Sequence, residues 1–114
     1  MFQRIDIGPR MSEATIYNGV VYLSGQIADD PSAGIKGQVE QTLASIDELL
    51  GRAGSDKSKI LRAEVFLVDL NDFAAMNEVW ERWVTPGQTP ARVTVQAKLA
   101  HPDWKVEIVV TAAV

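Results

Sequence analysis

The chain has 114 residues, enough for one hydrophobic core and too few for two, and at 46% hydrophobic and 23% charged it reads as an ordinary globular domain. Eleven basic against fifteen acidic residues, a net charge of −4, argue against a broad nucleic-acid footprint. The absence of cysteine excludes disulfides, thiolate metal sites and thiol nucleophiles, and the single histidine, His101, argues against a histidine metal cluster.

No N-terminal apolar run resembles a signal peptide and no segment is long enough to span a membrane, so the expected location is the cytoplasm. Phe2 to Ile7 reads as a first short strand, stopped by Gly8-Pro9. Glu13 to Tyr17 and Val20 to Ser24 flank Asn18-Gly19, the strongest two-residue hairpin signal in the chain. Asp29 to Gly34 is a turn-rich loop.

Ile35, Val39, Leu43, Ile46, Leu49 and Leu50 recur at helical spacing, which predicts an amphipathic helix over Gly37 to Arg52. Gly51 and Gly54 lie where it would stop. Ile60 to Leu70 follows as a strand apolar on both faces, which predicts a central strand covered on both sides. Asn71 or Asp72 is expected to cap a second helix, Phe73 to Trp83, striped by Phe73, Met76, Trp80 and Trp83. Asn77 shares that stripe and must find polar partners, most simply backbone. Pro86-Gly87 ends the helix.

Two alternating segments close the chain, Thr89 to Ala97 and Lys105 to Val110. In the first, Ala91, Val93, Val95 and Ala97 share one side, opposite Arg92, Thr94 and Gln96. In the second, Val106, Ile108 and Val110 share one side, opposite Glu107 and Val109. Arg92 and Glu107 therefore point away from the main apolar stripes. An arginine on a strand can hold a carboxylate through two parallel hydrogen bonds, and a glutamate can position or deprotonate water. Charges on an exposed sheet face are also ordinary surface features. A simple hairpin would separate the two by roughly 16 Å along the ladder, so a shared site requires another strand order or a second subunit.

The order strand, hairpin, helix, strand, helix, strand, strand predicts an α+β fold with two helices on one face of a largely antiparallel or mixed sheet. The other face, with Val109 and Ala113, should seek a partner, most simply another copy of the chain.

Ser24-Gly25-Gln26-Ile27, Asp69-Leu70-Asn71-Asp72-Phe73 with Asn77, Pro90-Ala91-Arg92-Val93-Thr94-Val95 and Val106-Glu107-Ile108 together resemble the Rid family. This family is also called YjgF or, in older naming, L-PSP endoribonuclease. The resemblance spans almost the whole chain. It implies a fold similar to the small trimeric chorismate mutase and a homotrimer with ligand pockets between subunits. It also implies cofactor-independent hydrolysis of reactive enamines and imines of small 2-imino acids to the keto acid and ammonia. Arg92 would clamp the substrate carboxylate and Glu107 would position the water. Backbone at Gly25 and Gln26 would line the pocket, with Ser24 and Asn77 in support.

The sequence departs from the founding branch in two places. A tyrosine there follows Gly-Pro and enters the neighbouring pocket; here Gly8-Pro9 is followed by Arg10-Met11-Ser12. Counting back from Ser24 favours Met11 over Arg10 at that position. Thr94 replaces a cysteine. A keto-acid-binding module without turnover is the alternative, and a ribonuclease is disfavoured by charge and by the isolated His101, which reads as a solvated loop residue. Trp80, Trp83 and Trp104 read as core or interface fillers.

Overall fold

The computed structural model describes residues 2–114. Six strands form one sheet: β1 (Gln3–Ile7), β2 (Ser12–Tyr17), β3 (Val20–Leu23), β4 (Ile60–Leu67), β5 (Ala91–Gln96) and β6 (Val106–Ala113). Two helices join them, α1 (Ile35–Arg52) and α2 (Phe73–Trp83). The spatial order is β1-β2-β3-β6-β4-β5. Every pairing is antiparallel except β4 with β5, which are parallel because α2 carries the chain back between them. The sheet is thus mixed, with β6 rather than β5 beside β3, and the final two strands form no hairpin.

The β2–β3 turn is the tight one expected. Asn18 and Gly19 adopt φ of 51° and 76°, as the mirror-image hairpin turn requires, and Tyr17 faces Val20. α1 starts two residues before the predicted Gly37, at Ile35. β4 ends at Leu67 rather than Leu70, because the Asp69 carboxylate accepts from the Asn71 amide at 2.9 Å and winds Leu70–Asp72 into a 3₁₀ turn. Asp72 stands at the cap position of α2 without a capping side-chain bond, so the lead-in turn does the work expected of the cap.

Both helices pack on one face of the sheet. From it, Val21, Ala63, Val65, Leu67, Val106, Ile108 and Ala112 project with no exposure. Val39, Ile46 and Leu50 of α1 and Met76 of α2 are buried as completely against them. Val79, absent from the predicted stripe, is buried with them, whereas Phe73 is 43% exposed. The opposite face is open in a single chain: Tyr17, Tyr22, Val93 and Val95 lie exposed there beside half-buried Phe66, Glu107 and Val109. β4 is therefore interior within the sheet but covered on one side only. No helix among the described residues is long and apolar enough to cross a membrane.

Candidate functional site

One half-site lies where β3 gives out. After Leu23 the chain steps sideways: the Ser24 amide donates to the Glu13 carbonyl at 2.9 Å, and Gln26 exchanges backbone bonds with Ile108 at 2.9 and 3.0 Å. This places Gly25 against the Glu107 carboxylate. A methyl group added at Gly25 would overlap that carboxylate, with Glu107 Cδ only 2.8 Å away. Glycine is required here for close approach rather than for a turn.

The Gln26 side chain is buried, and its Nε2 donates to the Ser24 carbonyl and to Ser24 Oγ at 3.2 and 3.1 Å. Ser24 Oγ in turn donates to Glu13 Oε1 at 3.2 Å. Met11, Glu13, Gly25, Gln26, Trp104 and Glu107 line a cleft of about 440 Å³. At its outer end Arg52 of α1 binds Asp6 of β1 through two bonds of 2.8 Å, which hold the Asp6 carboxyl below its ordinary pKa.

The second half-site is Arg92 on edge strand β5. Its Nη2 donates to Asn77 Oδ1 at 2.8 Å, its Nη1 lies 3.8 Å from Met76 Sδ, and its guanidinium carbon sits 5.1 Å from the Trp80 ring centre. Burial pulls its pKa below the ordinary arginine value, and Glu81 opposes that shift. The cation is thus stacked and oriented, with donors to spare. None of the ion pairs among the described residues includes Arg92 or Glu107. Beside Arg92, Thr94 lines a smaller cavity of about 270 Å³ with Leu70 and Phe73, and its Oγ1 is buried without a hydrogen-bond partner.

The two half-sites do not meet in one chain. Arg92 pairs with Ala63 and shares the helix-covered face, whereas Glu107 pairs with Phe66 and lies on the open face. Val95 marks the Phe66 level on β5, so Arg92 and Glu107 are three residues apart along the sheet, about 10 Å at the usual rise, with β4 between them.

This corrects the expectation that both charges point away from buried stripes. Glu107 does, but on β5 the apolar Ala91, Val93 and Val95 lie exposed while Arg92 turns under α2. The cause is α2 itself, which offers Arg92 an amide, a thioether and an indole. Asn77 meets the guanidinium rather than backbone.

Ser24, Gly25, Gln26, Met11 and Glu107 come together at the cleft, and Arg92, Asn77 and Thr94 at β5. Glu13 and Trp104 were not anticipated at the cleft. Glu13 sits across the hairpin from Ser24, and Trp104 lies three residues before Glu107, so both signals were present but ambiguous. Trp104 is a cleft wall rather than a core filler. His101 is exposed, and its Nδ1 accepts from the Asp103 amide at 3.1 Å as part of the loop turn. Among the described residues no cluster of three histidines or carboxylates is placed to hold a metal ion.

A mixed six-stranded sheet with two helices on one face, carrying a glycine-backed glutamate and a stacked arginine on separate rims, defines a small α+β domain with two candidate half-sites. The chain belongs to the endoribonuclease L-PSP family, also known as the YjgF or Rid family, whose sequence profile matches residues 2–114. A RutC family protein of Haemophilus ducreyi is 46% identical over 114 residues, spanning 100% of this chain and 97% of the relative. The crystal structure of a YjgF-family protein from Neisseria meningitidis superposes with a TM-score of 0.97 at 42% identity, covering 99% of this chain and 94% of that one. A more distant relative, a goat protein named 2-iminobutanoate/2-iminopropanoate deaminase, is 34% identical over 108 residues, 90% of this chain and 77% of the relative.

Proposed function

We propose that the protein hydrolyses small 2-imino acids to 2-keto acids and ammonia, in sites formed between neighbouring copies of a homotrimer. The observation that carries this reading is the pair of half-sites. An arginine oriented by Asn77 and a glutamate set against Gly25, neither engaged in an ion pair, stand on rims that a single chain keeps apart. The name of the goat relative supports the reaction class. In the reaction, Arg92 of one copy grips the substrate carboxylate through two charge-assisted hydrogen bonds. Glu107 of the neighbour accepts a proton from water as the oxygen bonds to the imine carbon, and the imine nitrogen takes up a proton. That proton comes from solvent; Glu107 then returns its own proton to the amino group of the carbinolamine, which leaves as ammonia while the hydroxyl proton passes to solvent and the C=O bond forms. Holding carboxylate and water at fixed positions converts an encounter of two molecules into an intramolecular step, and this chemistry draws on no cofactor.

The test generates imino acids in situ from a panel of amino acids with an oxidase and follows their disappearance with and without the protein. Faster decay for at least one substrate is expected; no acceleration across the panel sinks the proposal. Binding of keto acids in thermal-shift experiments without any turnover would instead favour a metabolite-binding module, a reading that Met11 and Thr94 in the remodelled pocket motivate. RNA is disfavoured as substrate by the net charge of −4, which argues against a broad footprint for phosphate.

Assembly is tested separately. The open sheet face and the divided site both need neighbours, so light scattering should report a trimer. A stable monomer at micromolar concentration would remove the basis for the shared site.

The substrate range should follow Met11, which lines the cleft and is 51% exposed, whereas Arg10 is not part of the lining. A flexible thioether wall favours imines of leucine or methionine over 2-aminoacrylate. Met11→Tyr is expected to shift preference toward the smallest imines. Unchanged selectivity there, with a clear change in Arg10→Ala, would assign the wall to Arg10.

A further inference from the structure

Two loops that close the cleft are joined by one buried side chain. Gln38, in the first turn of α1, has no exposed surface. Its Nε2 lies within 3.0 to 3.1 Å of three carbonyl oxygens: Pro31 and Ala33 in the loop after Gln26, and Asp103 in the loop before β6. Its Oε1 accepts from the Lys105 amide at 2.9 Å. The residues on either side of Trp104 are therefore both fastened to the same amide. The indole is held again from the side, where it packs on the His101 ring at 5.3 Å between centres. The Trp104 backbone amide donates to the His101 carbonyl at 3.2 Å.

Trp104 is thus a preorganised aromatic wall three residues before Glu107, in a cleft whose other apolar lining is Met11, Ile27 and Leu49. Arg52 engages Asp6 and also lies 3.7 Å from Glu48, and Ser24 engages Glu13, so several carboxylates of the lining already have partners of their own. A rigid indole offers a large contact area at little entropic cost, and an aliphatic or thioether chain fits such a face well.

We propose that Trp104 is a second specificity-determining wall of the cleft beside Met11, selecting 2-imino acids with an apolar side chain of several carbons, and that Gln38 is the positioning residue that holds it. This rests on the reading of the cleft as the site of imine hydrolysis. Gln38 acts through Trp104: an amide replaced by an isosteric apolar chain leaves four backbone groups without their partner and frees the segment from Asp103 to Lys105.

The experiment measures the ratio of kcat/KM for the leucine-derived imine to that for the alanine-derived imine. The same ratio is read without turnover as relative affinity for 4-methyl-2-oxopentanoate over pyruvate, from NMR titration. Trp104→Ala should lower both ratios by about tenfold or more, the scale of discrimination that apolar pocket contacts provide. Trp104→Phe should restore most of the loss.

Gln38→Met should move the ratios in the same direction and shift the Trp104 indole N–H resonance while those of Trp80 and Trp83 stay. In the Trp104→Ala background it should add little, because residues acting through one contact are non-additive. A purely structural Gln38 would lower stability in both backgrounds and leave the ratios alone. Should Gln38→Met fail to fold, Trp104→Ala and Trp104→Phe still decide the wall. Unchanged ratios in Trp104→Ala overturn the proposal even where imine hydrolysis is confirmed. Absence of turnover with a Trp104-dependent affinity ratio overturns only the deaminase reading.

Discussion

Arg92→Ala is expected to lower kcat/KM for any accepted imine by roughly a hundred- to ten-thousand-fold while leaving the assembly intact. A hydrogen bond to a charged partner contributes about 1.5–3 kcal/mol, and a two-pronged carboxylate clamp has two of them. At about 1.4 kcal/mol per tenfold in rate, the loss follows directly. The fold should tolerate the change, because Arg92 is half-buried on an edge strand and its contacts are one amide, one thioether and one indole face. The cost to stability is on the order of 1–2 kcal/mol, from one hydrogen bond and one stacking contact.

Arg92→Lys should recover little. A lysine keeps the charge but loses the planar fork that Asn77 orients. Steady-state kinetics with light scattering on the same preparation separates the outcomes. Retained turnover in a well-assembled Arg92→Ala protein would show that the carboxylate anchor lies elsewhere.

Gly25→Ala is expected to abolish most of the proposed imine turnover through the adjacent glutamate. The new methyl would overlap the Glu107 carboxylate, and the movable party is the far end of a flexible side chain rather than backbone. Glu107 therefore swings aside at small cost to stability, and the water it would position is misplaced. Displacements of about 1 Å at a reacting centre cost on the order of a hundredfold.

Glu107→Gln removes the proton acceptor outright and should lower kcat by roughly a hundred- to ten-thousand-fold, with ligand affinity largely kept because the Arg92 anchor remains. The combination of Gly25→Ala with Glu107→Gln should cost little more than Glu107→Gln alone, since both act on one group. Wild-type turnover in Gly25→Ala, with the methyl verified by crystallography, would remove Glu107 from the mechanism. Additive losses would assign Gly25 a separate role.

Local signals located most of the architecture. Asn18-Gly19 marks a hairpin because few residue pairs tolerate two successive positive φ angles, and this is a property of the dipeptide rather than of its surroundings. The 3.6-residue recurrence from Ile35 to Leu50 and the stripe from Met76 to Trp83 identify the two helices, because a helix must bury one face wherever it packs. The four blocks that resemble the Rid family extended this to the family, and they name residues that do gather at two rims of the folded chain.

Alternation alone misled on β5. A period of two states which residues share a face but not which face the helices will cover. Ala91, Val93 and Val95 looked like the core side because they are apolar, yet they lie on the open face, and polar Arg92 and Thr94 lie beneath α2.

The features legible in the residues are local: the turns, the two amphipathic helices, the alternation of the strands and the family to which the motifs belong. These follow from backbone sterics and from the periodicity with which side chains leave the chain. Tertiary structure alone decided that β6 enters between β3 and β4, that β4 and β5 run parallel, and that Arg92 and Glu107 stand on opposite faces. It also decided that Gly25 touches Glu107, that Trp104 walls the cleft, and that Gln38 clasps the loop at Asp103 and Lys105, 65 and 67 residues distant in sequence. The reason is the same in each case. These relations depend on which strand edges and helix faces find one another when the core closes, and no residue carries that information in its nearest neighbours.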